Sequence, residues 1–178
     1  VFCVVFAPLL ALYDPSAVSP EEILEHSSAA HWFGTDALGR DILSRVIYGA
    51  RSSVAFAFCS AFCTMALGLS LGMVSGYFGG LADKSVQCLV ALFQGLPGTS
   101  LMIAIAAILP ENDFRIIIAL TLTSWTGFSR IVRNEVLRIK GETYMEGIRS
   151  IGAGHWYILR KYVFPNLLPV LILSLIHI

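Results

Sequence analysis

Apolar residues in this chain come in long runs, at 1–12, 53–74, 86–109, 116–131 and 162–172, with polar stretches between them. A helix needs about 20 predominantly apolar residues to cross the hydrocarbon core of a bilayer. The runs therefore predict spans at 53–74, 86–109 and 116–131, a fourth that begins at 162, and a fragment of another at 1–12. Only helices and closed barrels satisfy their own backbone in lipid, and the runs lack the alternating pattern of barrel strands. The expected fold class is all-α, a polytopic transmembrane helical bundle. No segment repeats at a fixed period and no low-complexity linker divides the chain, so residues 1–172 are read as a single domain.

Both ends change that picture. Val1 opens inside an apolar run that closes by Leu12, without the basic lead-in or small-residue cleavage site of a signal peptide, so this fragment reads as a span whose beginning is missing. Leu173-Ser174-Leu175-Ile176-His177-Ile178 is what the bases CTG TCT CTT ATA CAC ATC encode, which resembles a transposon-end sequencing adapter read in frame. The expectation is that residues 173–178 are not native protein; the alternative is a real apolar helix that continues by chance.

Composition favours the bilayer as solvent. Charged residues are 13% of the chain, against about 25% in an average soluble domain, too few to coat a water-facing globule. Formal net charge is zero and no Lys/Arg patch is interleaved with aromatics, which removes the attraction that nucleic-acid binding relies on. Membrane lipid is the expected surrounding and nucleic acid is not an expected partner. Cys3, Cys59, Cys63 and Cys88 lie in or beside apolar runs with no Cys-x-x-Cys pair for zinc or redox chemistry, and read as reduced, apolar packers. No metal site is expected.

Arg130, Arg133, Arg138, Lys140, Arg149, Arg160 and Lys161 fall in one loop, which the positive-inside rule places in the cytoplasm. Alternation then puts 110–115 and the acidic segment 14–50 outside. Arg45, Arg51 and Lys84 run against the rule without reversing it. A short helix near 21–26 reads as part of a solvated cover.

Four constellations stand out. Gly68, Gly72 and Gly76 recur every four residues and give one helix face free of side chains, either for close bundle packing or for a face that slides. Gln94-Gly95-Leu96-Pro97-Gly98 interrupts the run 86–109; such a break either faces a water-filled path or is ordinary kinking by Pro97. Thr143 and Glu146 fit a capping box, predicting a helix from Tyr144. Tyr144, Ile148 and Ile151 then share a face with Met145 beside it, and Gly152 stands where a helix ends in the left-handed conformation. Such a helix suits lipid headgroups or a groove on a soluble protein. Finally, Asp36, Arg40, Asp41 and Arg45 are close enough in sequence to pair with one another, which favours a structural brace over direct solute contact.

Glu146-Gly147-Ile148, then Gly152 and Pro165, resembles the signature of the binding-protein-dependent ABC importer permeases: Glu-Ala-Ala, three residues, Gly, then nine residues before Ile-x-Leu-Pro. The spacing matches throughout. Gly147 and Ile148 stand for the two Ala, Tyr162 for Ile and Phe164 for Leu. His31-Trp32-Phe33-Gly34-Thr35-Asp36, followed by Leu38, Gly39, Arg40, Asp41, Ser44, Arg45, Gly49 and Arg51, looks like the hallmark of the dipeptide, oligopeptide and nickel subgroup. So does Gly76-Tyr77-Phe78-Gly79-Gly80 with Asp83, although two polar positions usual further on are Cys88 and Ala91.

The resemblance implies a type I ABC importer permease fold in a bacterial or archaeal inner membrane. It implies as partners a second permease subunit, two cytoplasmic ATPase subunits that carry ATP and Mg, and an extracytoplasmic solute-binding protein. The segment 143–155 would be the coupling helix that docks on an ATPase, through Thr143, Tyr144, Met145, Glu146, Gly147, Ile148, Ile151, Gly152 and His155, with Pro165 behind it. Phe33, Gly34, Thr35, Asp36, Gly39, Arg40, Asp41 and Arg45 would form the outer structural block. The chain itself is expected to bind no cofactor and to catalyse nothing: it has no Gly-x-x-x-x-Gly-Lys-Ser/Thr loop and no paired acid and base groups or Ser/His/Asp set. Its four histidines are scattered and read as surface or interfacial residues. An ATP-independent carrier or channel is the alternative, against which the spans are nearly free of ionisable groups. Dipeptides, longer peptides and nickel chelates all stay open as solutes.

Overall fold

The computed structural model describes residues 6–112 and 114–176. The start of the fragment at 1–12, with Cys3, and the last two residues of the 173–178 segment lie outside the described residues. Among those described, regular structure is helical apart from an isolated antiparallel bridge between Thr35 and Asp41. Helix α1 (Ala7–Leu10) is followed by a 3-10 turn (Pro20–Glu22), then α2 (Ile42–Phe78), α3 (Gly80–Gln94), α4 (Gly98–Ile108), α5 (Phe114–Lys140) and α6 (Thr143–Ser150). Helix α7 (His155–Ile158) runs through a π-helical segment (Leu159–Val163) into α8 (Phe164–Ile176). The contacts fall into two compact units, residues 1–58 and 59–178. No linker in the sequence marks that division because it lies inside the unbroken helix α2.

Among the described residues, α2 is the one helix that is by itself long and apolar enough to cross a membrane. Its 37 residues amount to about 55 Å at 1.5 Å per residue. The run expected at 86–109 is divided into α3 and α4, which together meet the same test but are bent by 93°. The bend has a local cause: Leu96 precedes Pro97 and is biased out of the helical region, while Pro97 has no N–H to continue the ladder. The run 116–131 lies within α5, whose charged residues apart from Arg115 gather in its second half. The run from 162 lies in the π segment and α8.

Two sequence expectations are corrected. The short helix near 21–26 is only the 3-10 turn Pro20–Glu22, because Leu24 turns left-handed (φ 55°) and the Glu25 N–H donates to Thr35 Oγ1 at 2.9 Å instead of to a helical carbonyl. Cys59, Cys63 and Cys88 are free thiols that point outward and do not pack inside, as expected where a helix turns apolar surface to its surroundings.

The main core of the second unit joins the far end of α2 to the helices that follow. Tyr77 of α2, Phe128, Val132, Val136 and Ile139 of α5, Met145 of α6, and Ile158, Val163, Leu167 and Leu171 further on form one buried cluster. The α5 members recur at helical spacing, so one face of that helix is the wall against which the rest packs.

Candidate functional site

The three glycines of α2 make this packing close. A Cβ at Gly68 would lie 2.8 Å from Phe128 Cδ1 and 3.0 Å from the Trp125 carbonyl oxygen; at Gly72, 2.6 Å from the Ser129 oxygen; at Gly76, 2.9 Å from the Arg133 oxygen. Helix α2 thus lies directly on the backbone of α5, which only a face without side chains permits. Ser129 is fully buried in this seam, and its hydroxyl has no hydrogen-bond partner among the described residues.

At the end of the seam a polar network ties three helices. Arg133 Nε and Nη2 donate to the two Asp83 carboxylate oxygens, each at 2.6 Å, and Ser75 Oγ donates to Asp83 Oδ1 at 2.5 Å. Gln87 Nε2 donates to Ser75 Oγ at 3.3 Å. The fork-on-carboxylate geometry fixes orientation as well as distance. Gly79 (φ 68°) and Gly80 (φ 55°) make the left-handed turn that brings Asp83 back toward α5. Sequence reasoning noticed Asp83 but missed Arg133 and Ser75 as its partners, since nothing in the spacing of residues 75, 83 and 133 announces a contact.

Helix α6 hangs from this end of the core. The capping box is not formed: Glu142, in an extended conformation, is the N-cap, α6 begins at Thr143, and no side-chain cap bond is made. The reason is competition, because the Glu142 carboxylate accepts from Arg138 Nη1 at 3.1 Å. The other end is as expected. Gly152 is left-handed (φ 80°), its N–H donates to the Arg149 oxygen at 2.9 Å, and the Ala153 N–H reaches back to the Ile148 oxygen at 3.4 Å. These two bonds close the helix in the Schellman pattern.

The apolar face of α6 is turned differently from the sequence expectation. Met145 is fully buried and Ile148 packs against the core, whereas Tyr144 is exposed and Ile151 is 83% exposed. Starting the helix one residue earlier does not move the face; the face is set by Met145 entering the α5 wall. Thr143, Glu146, Gly147 and Arg149 are exposed, and a Cβ at Gly147 would meet nothing within 4 Å. His155 follows the loop, with its Nδ1 3.0 Å from the Tyr77 hydroxyl, while Lys140 Nζ donates to the Tyr77 oxygen at 2.9 Å. Tyr77 thereby links the ends of α2 and α5 to the start of α7. In the sequence Tyr77 stands out only as part of the Gly76-Tyr77-Phe78-Gly79-Gly80 motif. Pro165 is exposed at the start of α8.

At the break between α3 and α4, Gln94, Gly95, Pro97 and Gly98 are all exposed, and Gln94 Nε2 lies 3.5 Å from Thr126 Oγ1 of α5. Both readings of the break stand on that geometry.

The first unit holds the acidic block. Asp36 accepts from the Leu38 N–H (2.8 Å), the Arg40 N–H (3.1 Å) and Arg40 Nε (2.9 Å), and also pairs with Arg45. Slight desolvation pushes its carboxyl up, but these donors together hold it down at about 2. Asp41 does not join the arginines. It caps α2 by accepting the Ser44 N–H at 2.7 Å, and its other oxygen lies 3.0 Å from His31 Nδ1. His31 is therefore neither exposed nor interfacial; it is buried, with Glu22 3.6 Å from its other nitrogen and Tyr13 stacked at 4.6 Å. Gly34 and Gly39 are both left-handed (φ 73°), and a Cβ on either would overlap the carbonyl oxygen of Glu25 or Ser19. Thr35 is buried and bonded to Glu22 and Glu25, while Phe33 is exposed.

Comparison with known proteins adds to this geometry. The family described as binding-protein-dependent transport system inner membrane component matches residues 68–177. An oligopeptide transport system permease protein of Bacillus subtilis is 33% identical over 171 residues, covering 96% of this chain and 56% of the relative. A dipeptide transport system permease protein of the same species is 35% identical over 177 residues, covering 98% and 55%. A glutathione transport system permease protein of Pectobacterium atrosepticum is 37% identical over 146 residues, covering 82% and 48%. The chain spans about half the length of the curated relatives it matches.

Proposed function

Because this chain belongs to the family of binding-protein-dependent transport system inner membrane components, we propose that it is a permease subunit of an ATP-driven importer in a bacterial inner membrane. With a second permease it forms the pathway for peptides or related small solutes, the class named in the relatives above. An external binding protein delivers the solute. Two cytoplasmic ATPase subunits bind ATP and Mg, and one of them grips the segment 143–155.

One observation carries the mechanical part of this reading. Helix α6 is fastened on one side, by Met145 and Ile148 in the core, and closed by Gly152, while Tyr144, Glu146, Arg149 and Ile151 face away from the chain. A rigid piece held in this way transmits a sideways push to what it is anchored in. The push reaches α5 through Met145 and α2 through Tyr77 and the glycine seam, and alternating access needs two such packings separated by only a few kcal/mol. The seam suits this because it buries backbone against backbone with few interlocking side chains. On this reading the broken element α3–α4 is a candidate to line the solute path, with ordinary kinking by Pro97 as the alternative.

The test is reconstitution of the full-length permease with its cognate ATPases and binding protein. Uptake requires ATP, and Glu146→Lys abolishes solute-driven ATP hydrolysis while the helical content is unchanged. Uptake that proceeds without nucleotide would instead make the protein a secondary carrier.

A further inference from the structure

Beyond the handle, the chain turns from a charged loop into its last apolar run, and at that turn it forms a cleft of about 510 Å³ lined by Trp156, Tyr157, Arg160, Lys161 and Pro165. We propose that this cleft binds the phosphate headgroup of an anionic phospholipid in the cytoplasmic leaflet.

The residues alternate in a useful way. Trp156 and Arg160 are four apart, as are Tyr157 and Lys161, so each aromatic ring has a cation one helical turn further on. The π-helical segment Leu159–Val163 carries both cations, while its Leu159 and Val163 are buried in the core. The segment is thus anchored on one side, and Arg160 and Lys161 are left exposed on the other.

These cations differ from the five that are ion-paired among the described residues. Arg40 and Arg45 pair with Asp36, Arg115 with Glu111, Arg133 with Asp83, and Arg138 with Glu135 and Glu142. Among the described residues neither Arg160 nor Lys161 has a carboxylate partner; Lys161 Nζ donates only to the Tyr157 hydroxyl, at 2.8 Å. The cleft thus offers two positive charges and no acid, which matches a phosphodiester without a compensating amine. A choline or ethanolamine headgroup would find its cation opposed, and the Tyr157 ring that would receive it already faces Lys161 Nζ at 5.0 Å.

The walls favour a lipid over a free phosphate. Trp156 is 76% exposed and Tyr157 half-exposed, the residue types that gather at the level of the headgroups, and Pro165 closes the cleft toward the apolar run. Basic residues just cytoplasmic to a span are drawn to anionic lipid. The inference needs the chain to sit in a bilayer and nothing else of the importer reading, so its failure leaves that reading standing.

The experiment uses the full chain in nanodiscs of phosphatidylcholine with a small, varied fraction of brominated phosphatidylglycerol or, separately, brominated phosphatidylcholine. Tryptophan quenching is read, and its loss in Trp156→Phe isolates the signal of the cleft from Trp32 and Trp125. The anionic lipid should quench at a mole fraction roughly thirtyfold lower than the zwitterionic one, since each of the two basic residues is drawn to anionic lipid by a factor of about five. The double variant R160Q/K161Q should bring the two curves together, while R160K/K161R keeps them apart. If the double variant loses helical content, the single variants R160Q and K161Q should each narrow the gap. Coincident curves in the unaltered protein overturn the proposal and mean that something other than lipid covers the cleft. A preference that survives the double variant also overturns it. Erasure of the preference by millimolar inorganic phosphate would mark an adventitious phosphate site and overturn it as well.

Discussion

The acidic block ahead of α2 and the short helix α6 both depend on left-handed glycines, yet they use their side chains in opposite ways. In the block, Asp36 takes three bonds from Leu38 and Arg40 and a further pair with Arg45, and Asp41 caps α2 while it holds a buried His31. Its polar groups are satisfied inside the segment. In α6 only Met145 and Ile148 are directed inward, and Glu146 and Arg149 have no ion pair among the described residues. Both regions leave apolar groups outward, Trp32, Phe33 and Leu38 in the block and Tyr144 and Ile151 at α6; what differs is that the block pairs Asp36 and Asp41 internally, whereas α6 leaves its charges unpaired among the described residues. On the proposed function, that difference in charge pairing is what would separate a brace from a handle.

The comparison breaks most sharply at the seam beneath the handle. Gly72→Leu would force a side chain into the Ser129 carbonyl and Val132, and overpacking of this kind costs about 1–3 kcal/mol or more. The thermal midpoint of the purified protein should fall by several degrees, and transport should be lost with it. An unchanged midpoint would mean that α2 and α5 do not lie backbone to backbone.

A smaller effect sharpens the other side. Asp36 is held at about 2 against an ordinary 3.8, so between those values the unfolded segment binds more protons than the folded one and stability rises with pH. The contribution is fully present above about pH 4 and disappears as the pH falls through 2. Amide exchange corrected for intrinsic rates should show the Leu38 and Arg40 amides losing protection across that window. The Gly152 amide, bonded to a backbone oxygen, should change little, and Asp36→Asn should remove the pH dependence at Leu38 and Arg40.

The smallest effect is at Gly147. Its open surroundings mean that Gly147→Ala restores the residue usual in the family signature without a clash, and helix propensity favours Ala by about 1 kcal/mol. The protein should be marginally more stable and transport unimpaired. Lost transport with intact folding would place an ATPase surface directly against that Cα.

Much of this was legible in the residues. The apolar runs give the helices, Pro97 after Leu96 gives the break, and Gly152 gives the end of α6, because each depends on local sterics. The face presented by α6 was not legible, since both Met145 and the Tyr144–Ile148–Ile151 row are apolar and only contact with α5 chooses between them. Thr143 as a cap failed for a similar reason: Arg138, a turn earlier, engages Glu142 and favours the earlier start. Asp41 went to His31 and not to an arginine because the loop 13–31 folds back over it, which charge and spacing alone do not reveal. Arg133 with Asp83, fifty residues apart, is a product of tertiary packing.

The central claim is that α6 presents Ile151 outward to an ATPase while Met145 stays inside. A photo-crosslinking residue placed at each position in turn, in membranes that contain the cognate ATPases, tests it directly. Capture of an ATPase from position 151 and not from position 145 is the predicted result; no capture from position 151, or equal capture from both, would contradict it.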